Sequence, residues 1–441
     1  MIRIVEGAAN ARQTILRRRP MEETVAPPHV QARLDAMFGA GTTAATAVQR
    51  ILADLQTRGD AALHEYTLRI DGADLPNPEV PAASLATAHR DLDPGLRQAL
   101  EVAAERLRAF HQREQHPSWL HWEGDGALGQ MVRPLRRVGL YVPGGTAAYP
   151  SSVLHTAVPA RVAGVEEIVV ATPPARDGSV SPVILAACHI TGVNRVLRMG
   201  GAQAIAALAF GTQTIQRVDK ILGPGNIFVA LAKRAVAGSV GIDQIAGPTE
   251  TVVVADESAD PALVAADLLA QAEHDPLASA ILITPSLDLA RRVQEQISRQ
   301  LTGLSRREIA TASLAANGGI AVVETLGQAL ELANEYAPEH MCLAVRDPWN
   351  WLPRVRNAGG VFLGDGMSEA LGDYAVGPSH VMPTGGTARF ASPLHVGDFL
   401  KVTSIFGLGQ DQVRRLTPPA AKLAAAEGLT AHVAAMNKRI N

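Results

Sequence analysis

The chain has 441 residues, 40 Lys and Arg against 43 Asp and Glu, a formal net charge of -3, and 47% hydrophobic but only 4% aromatic residues. That length supports two or three domains with cores of their own, and the balanced charge gives no electrostatic case for nucleic acid or an anionic membrane surface as partner. Only Cys188 and Cys342 are present, both in apolar stretches, so buried free thiols are expected and a Cys-rich structural zinc site is excluded.

In chain order, the start MIRIVEGAAN lacks the basic end and long apolar stretch of a signal peptide, and no apolar run reaches membrane-spanning length. A soluble, cytoplasmic protein is expected. Residues 1–35 are polar, with Pro20, Pro27 and Pro28, and read as an N-terminal arm; the basic run LRRRP is short, is followed by acidic MEET, and reads as solvated surface. From about residue 42 to 116 apolar residues recur at three and four spacings, as in AATAVQRILADLQTRGDAALHEYT, which predicts helices. GDGALG (124–129) matches G-x-G-x-x-G letter for letter. A dinucleotide fingerprint needs a strand before it and a helix after it, whereas HWE precedes and QMVRPL follows, so the stretch reads as a polar loop.

Strands and helices then alternate. RRVGLYVPGG (136–145), EEIVVATPP (166–174), NRVLRMGG (194–201) and VDKILGPGN (218–226) read as strands ending in Gly or Pro, with helix-like SSVLHTAVPARVAG, SPVILAACHITG and AQAIAALAFGT between them. The alternation resumes with strands TETVVVADE, ASAILITPS, GGIAVVE and AGGVFLGD and helices over 261–274, 287–302, 325–336 and 347–357. The fold class expected is α/β: two tandem Rossmann-like doubly wound units without a G-x-G-x-x-G fingerprint. DGMSEALGDYAVGPSHVMPTGGTARF reads as a long loop, and PPAAKLAAAEGLTAHVAAMNKRI as a helical C-terminal tail with Gly428 placed to cap one helix.

Several stretches carry chemistry. The turns VPGGTAAYPSS, MGGAQA and GPGN each end a strand and open a helix, where open α/β sheets bind ligands. One alone is a tight connection; three in one unit favour a cofactor or phosphate cleft. In LLAQAEHDP (268–276), Gln271 and His274 lie three apart on one face at the end of a helix that Asp260 and Pro261 are placed to start. A helix C-terminus favours a protonated His or a bound cation, so this is either an exposed, dipole-stabilised end or part of a metal site whose other ligands are not local. Glu339 and His340 stand together after Pro338 at a strand start; a regular strand would send them to opposite faces, so joint action on one substrate needs a local turn. Asp373 and His380 lie in the Gly/Pro-rich stretch past the last strand. Glu427 and His432 would pass for an exposed helix pair.

Together these stretches resemble the histidinol dehydrogenase family, from about residue 45 to the C-terminus and most densely in GLYVPGGTAAYPSSVL, GGAQAIAALAFGT, VDKILGPGN, AGPTE, LLAQAEHDPLASAILIT, YAPEH, GDYAVGPSHVMPTGGTARF and LTAH. The resemblance implies oxidation of L-histidinol to L-histidine through L-histidinal, with NAD as cofactor and one zinc ion, Zn(2+), per subunit. It implies zinc ligands at Gln271, His274 and Asp373, completed by His432 from a second copy of the chain. A mixed N/O set without thiolate suits a metal that orients a ligand rather than clamps a fold. Thr249, Gln271, His274, His340, Asp373, His380, Glu427 and His432 are implied as substrate-binding, Glu339 and His340 as catalytic, and Tyr141, Gln203 and Asn226 as NAD-contacting.

The organisation expected is an arm over 1–35, a zinc and catalytic unit of 36–135 with 250–390, an NAD-contacting unit over 136–249, and a tail over 391–441 reaching the partner of a domain-swapped homodimer. Thr249 stands where the family usually has Ser, Ser379 where Asn is common and Val402 where a basic residue is usual. These departures leave room for a zinc-dependent dehydrogenase of another small alcohol; a zinc hydrolase using Glu339 to activate water is an alternative of a different class.

Overall fold

The strand Glu250–Ala255 is buried at every position, and Glu167–Thr172 and Ser279–Thr284 at every position but the first. Such runs need cover on both faces, which parallel sheets with crossover helices supply. The computed structural model, which describes residues 2–18, 28–144 and 148–440, contains two of them. Residues 145–147 of the first Gly-rich turn and 19–27 of the expected arm lie outside the described residues.

The first sheet has the order Arg195–Arg198, Glu167–Thr172, Arg137–Tyr141, Lys220–Leu222, Gly241–Ile242, and every pairing is parallel. The second has the order Ile4–Glu6, Gly319–Val322, Ser279–Thr284, Glu250–Ala255, His340–Ala344, Gly360–Leu363, again all parallel. Each unit starts in the middle of its sheet and winds outward both ways. The switch points lie between Arg137–Tyr141 and Lys220–Leu222 in one sheet, and between Glu250–Ala255 and His340–Ala344 in the other.

Three expectations are corrected. Residues 2–18 are not an arm: Ile4–Glu6 forms the edge strand of the second sheet, and Ile2, Ala11 and Ile15 are buried in its cores. A three-residue strand is too short to show a period; only the waiting edge of Gly319–Val322 defines it.

The helices within 36–135 belong with 136–249, not with 250–390. Ala44–Arg58 and Asp60–Tyr66 cover one face of the first sheet beside Gly201–Phe210 and Ile227–Val236. Ala82–Asp91 and Pro94–His111 cover the other beside Pro150–Ala163 and Pro182–Ile190. Periodicity shows that a helix has an apolar face, but not which of two sheets covers it.

The GDGALG stretch is not a loop throughout. Gly124 and Asp125 form the turn of an antiparallel hairpin between Trp119–Glu123 and Gly126–Pro134, with Gly124 at φ +60, so the rejected fingerprint stays rejected. Leu400–Gly407 adds a third antiparallel strand. Leu394, Val396 and Phe399 pack into the first unit's core, so the separate tail is only the helices Gln410–Ala426 and Thr430–Asn437. Gly428, at φ +75, ends the first of these as expected.

Smaller differences follow local chemistry. The helix expected over 347–357 is one turn, Pro348–Trp351, followed by a 3-10 turn containing Pro353. The long stretch after Asp365 contains a short helix, Glu369–Tyr374. Cys188 and Cys342 are both buried and free. No helix among the described residues is long and apolar enough to cross a membrane.

Candidate active site

Asp260 accepts the Ala262 N–H at 2.7 Å and Pro261 follows, so the helix Pro261–Ala272 starts as its sequence indicates. It returns antiparallel to the strands it connects, which carries Gln271 to the amino ends of the second sheet. Glu339 and His340 enter the same end. Ala337, at φ +51, and Pro338 turn the chain just before the strand His340–Ala344 begins. Glu339 therefore lies outside the pleat and can share a pocket with its neighbour.

The resulting cluster is tight and dry. Gln271 Nε2 lies 2.8 Å from His340 Nδ1, and Glu339 Oε2 lies 3.6 Å from the same nitrogen. Thr249 Oγ1 donates to Glu339 Oε2 at 2.5 Å and the Glu250 N–H donates at 3.1 Å. His340 Nε2 is buried, has no hydrogen-bond partner among the described residues, and sits 3.4 Å from Asp373 Oδ1. Burial pushes the Glu339 carboxyl up to about 7. Burial works to lower the His340 imidazole, but Glu339 and Asp373 outweigh it and raise it overall. The geometry is that of a proton-handling pair beside an open acceptor position.

Asp373 is presented by the helix Glu369–Tyr374, and the following loop folds back so that His380 Nδ1 donates to the Asp373 carbonyl at 2.8 Å. Partial burial lowers the His274 imidazole, while the nearby Asp373 carboxylate pulls it up. Gln271, Asp373, Glu339 and His340 are thus brought together, with the exposed His274 near enough to feel the charge of Asp373 and His340. Glu427 and His432 are not: both are exposed on the C-terminal segment, and among the described residues neither is hydrogen-bonded or ion-paired to this cluster.

Two contributors lacked a sequence signal. Glu369, almost fully buried, accepts from Thr251 Oγ1 and from Cys342 Sγ and adds negative charge near His340. Arg18 pairs with buried Glu250 and lies 3.8 Å over the Tyr336 ring, tying the N-terminal segment to this end of the sheet.

Tyr141, Gln203 and Asn226 lie at the carboxyl end of the first sheet, each at a strand-end turn. Tyr141 Oη accepts the Gly201 N–H at 3.0 Å, and Asn226 Oδ1 caps its helix by accepting from Phe228 and Val229. Gln203 is fully buried; its Nε2 donates to Asp71 at 3.2 Å while its Oε1 has no partner among the described residues. Asp71, which sequence reasoning missed, is pushed up to about 6 by burial. Gly223, at φ +110, brings GPGN against the Tyr141 carbonyl, where any Cβ would collide.

Behind that turn Lys233 and Asp243 form a buried pair. Lys233 Nζ also donates to the Gly223 carbonyl at 3.0 Å, and Asp243 Oδ2 accepts the Gly223 N–H at 2.7 Å. Lys233→Met leaves Asp243 buried without its cation and is expected to cost about 3–5 kcal/mol of stability, read as a lower urea midpoint. An unchanged midpoint would show that the pair does not hold the turn.

The two ends face each other. Gln244, just beyond the first sheet, donates to the Met382 carbonyl at 2.6 Å, and the Gly247 N–H donates to Thr384 Oγ1 at 2.6 Å.

As to a metal, Gln271 is buried with its amide nitrogen turned to His340, which leaves its amide oxygen without a hydrogen bond among the described residues. Among the described residues no three His, Cys, Asp or Glu side chains are grouped so as to hold a metal ion. As to a dinucleotide, an unpartnered buried amide oxygen and a helix cap stand beside a sheet's switch point.

The family model for histidinol dehydrogenase matches residues 39–440. Histidinol dehydrogenase of Deinococcus radiodurans is 50% identical over 441 residues, covering 100% of both chains. That of Moorella thermoacetica is 54% identical over 398 residues, 90% of this chain and 94% of the relative. The crystal structure of histidinol dehydrogenase from Elizabethkingia anophelis superposes with a TM-score of 0.90 at 32% identity, covering 100% of this chain and 98% of that one. With the match spanning both sheets and the residues between them, the chain belongs to the histidinol dehydrogenase family of oxidoreductases.

Proposed function

We propose that the protein oxidises L-histidinol to L-histidine in two NAD-dependent steps, with L-histidinal held in the site between them. The observation that carries this reading is the buried Glu339–His340 pair, whose unpartnered His340 Nε2 opens towards Asp373. His340 takes the hydroxyl proton as the carbinol carbon gives up its hydride. Glu339 then takes a proton from a water that attacks the aldehyde carbon. Having released its first proton to solvent, His340 takes a proton from the resulting hydrate as the second hydride leaves, yielding the carboxylate. Thr249 and the Glu250 N–H hold the Glu339 carboxylate in place by hydrogen bonds to Oε2. Thr in place of Ser keeps that donor.

NAD, when bound against Tyr141, Gln203 and Asn226, supplies the acceptor for one hydride in each step. A zinc ion, when bound by Gln271, His274 and Asp373 with His432 of a second copy, supplies a Lewis acid that orients the substrate's nitrogens. The exposure of Glu427 and His432, together with exposed Leu416, Leu423 and Leu429 on the same helices, supports a homodimer in which each tail serves the other chain's site. The zinc-hydrolase alternative finds no support in the family match.

The test is stoichiometric. Purified protein given L-histidinol and excess NAD is expected to form two NADH for each L-histidine released. One NADH per substrate, with aldehyde accumulating, would overturn the double role of His340.

A further inference from the structure

His155 is the lone ionisable side chain in the apolar run SSVLHTAVP, on the helix Pro150–Ala163 that leaves the first sheet beyond Tyr141. It is fully buried. Its Nδ1 accepts the backbone N–H of His380 at 3.0 Å, and Ser379 Oγ donates to its carbonyl at 3.1 Å. The His155 and His380 rings stack with centroids 4.0 Å apart and planes 6° from parallel.

These contacts decide which tautomer each neutral ring adopts. The His380 amide is a donor, so His155 Nδ1 must be bare, and a neutral ring carries its proton on Nε2. The Asp373 carbonyl only accepts, so His380 Nδ1 carries a proton, and in the neutral ring that burial favours, Nε2 of His380 is left as a bare acceptor. Among the described residues that nitrogen has no hydrogen-bond partner. The ring is thereby held in plane by a stack, at its backbone by a hydrogen bond, and in one tautomer by a carbonyl.

We propose that His155 is a positioning residue: it fixes the backbone and ring plane of His380, so that His380 Nε2 is presented as an acceptor to an N–H or ammonium donor of the substrate. This rests on the reading of His380 as a substrate contact. A helix of the nucleotide-contacting unit thus sets the geometry of a group that meets the substrate across the cleft.

The experiment compares His155→Leu, His155→Asn and His380→Ala by calorimetric titration of the NAD-free protein with L-histidinol, alongside kcat and thermal midpoint. His155→Leu removes both acceptor and stack, and is expected to weaken histidinol binding roughly tenfold, about the worth of one hydrogen bond, with a much smaller change in kcat. His155→Asn keeps an acceptor oxygen within reach of the His380 N–H but loses the ring stack. It is expected to recover most of the binding, staying about threefold weak.

Wild-type affinity in folded His155→Leu, with His380→Ala weakened, overturns the proposal. Should His155→Leu not fold, wild-type affinity in His155→Asn overturns the ring-plane claim. Unchanged affinity in His380→Ala overturns instead the substrate-contact reading beneath it.

Discussion

His340→Asn is expected to lower turnover by about 10²–10⁴-fold, the usual worth of a positioned general base, with histidinol and with histidinal alike. The loss should be equal in both half-reactions because one imidazole serves both. Asn leaves a polar partner for the Gln271 amide, which otherwise faces His340 Nδ1 at 2.8 Å, so the loss is not a collapse of the pocket. Glu339→Gln should divide the reaction. Its carboxyl, raised to about 7 by burial, is suited to take a proton from water near neutrality, whereas the amide is not a base. The first NADH is expected at a rate near that of the wild type and the second to be slowed, with aldehyde trapped as a hydrazone. A wild-type yield of two NADH from Glu339→Gln would falsify the water-activating role.

Co-expressing His340→Asn with His432→Ala should restore activity that neither variant has alone. His340 lies buried in the second sheet's pocket, while His432 is exposed on the last helix of its own chain. The tail also exposes Leu423 at 69%, an apolar side chain that a second chain would cover. In a mixed dimer with exchanged tails, one site collects both defects and the other neither. Random pairing makes about half the dimers mixed, so about a quarter of wild-type sites should reappear. If each tail serves its own body, every site stays broken. Activity near zero in a preparation shown by native mass spectrometry to contain the mixed dimer would sink the shared-site arrangement.

The sequence by itself determined the class of the fold, because fully apolar β-branched runs and amphipathic helices carry their period locally. It also pointed to the helix caps at Asp260 and Gly428, where one residue's chemistry suffices. It marked Gln271, His274, Glu339, His340 and Asp373 as candidates, since their motifs are contiguous and match a family. Their partnership was another matter. Glu339 and His340 read as opposed across a strand until the left-handed Ala337 placed the turn ahead of it.

The tertiary structure alone decided that the candidate cluster around Glu339 and His340 lies at the amino ends of the second sheet, facing the carboxyl ends of the first. It alone drew Arg18, Asp71, His155 and Glu369 into or beside the sites. It also assigned the helices between residues 44 and 111 to the first sheet and the N-terminal strand to the second. The reason is common to all of these: pattern along a chain specifies which face of an element is apolar. Which surface covers that face depends on contacts between residues tens to hundreds of positions apart, and no local period records them.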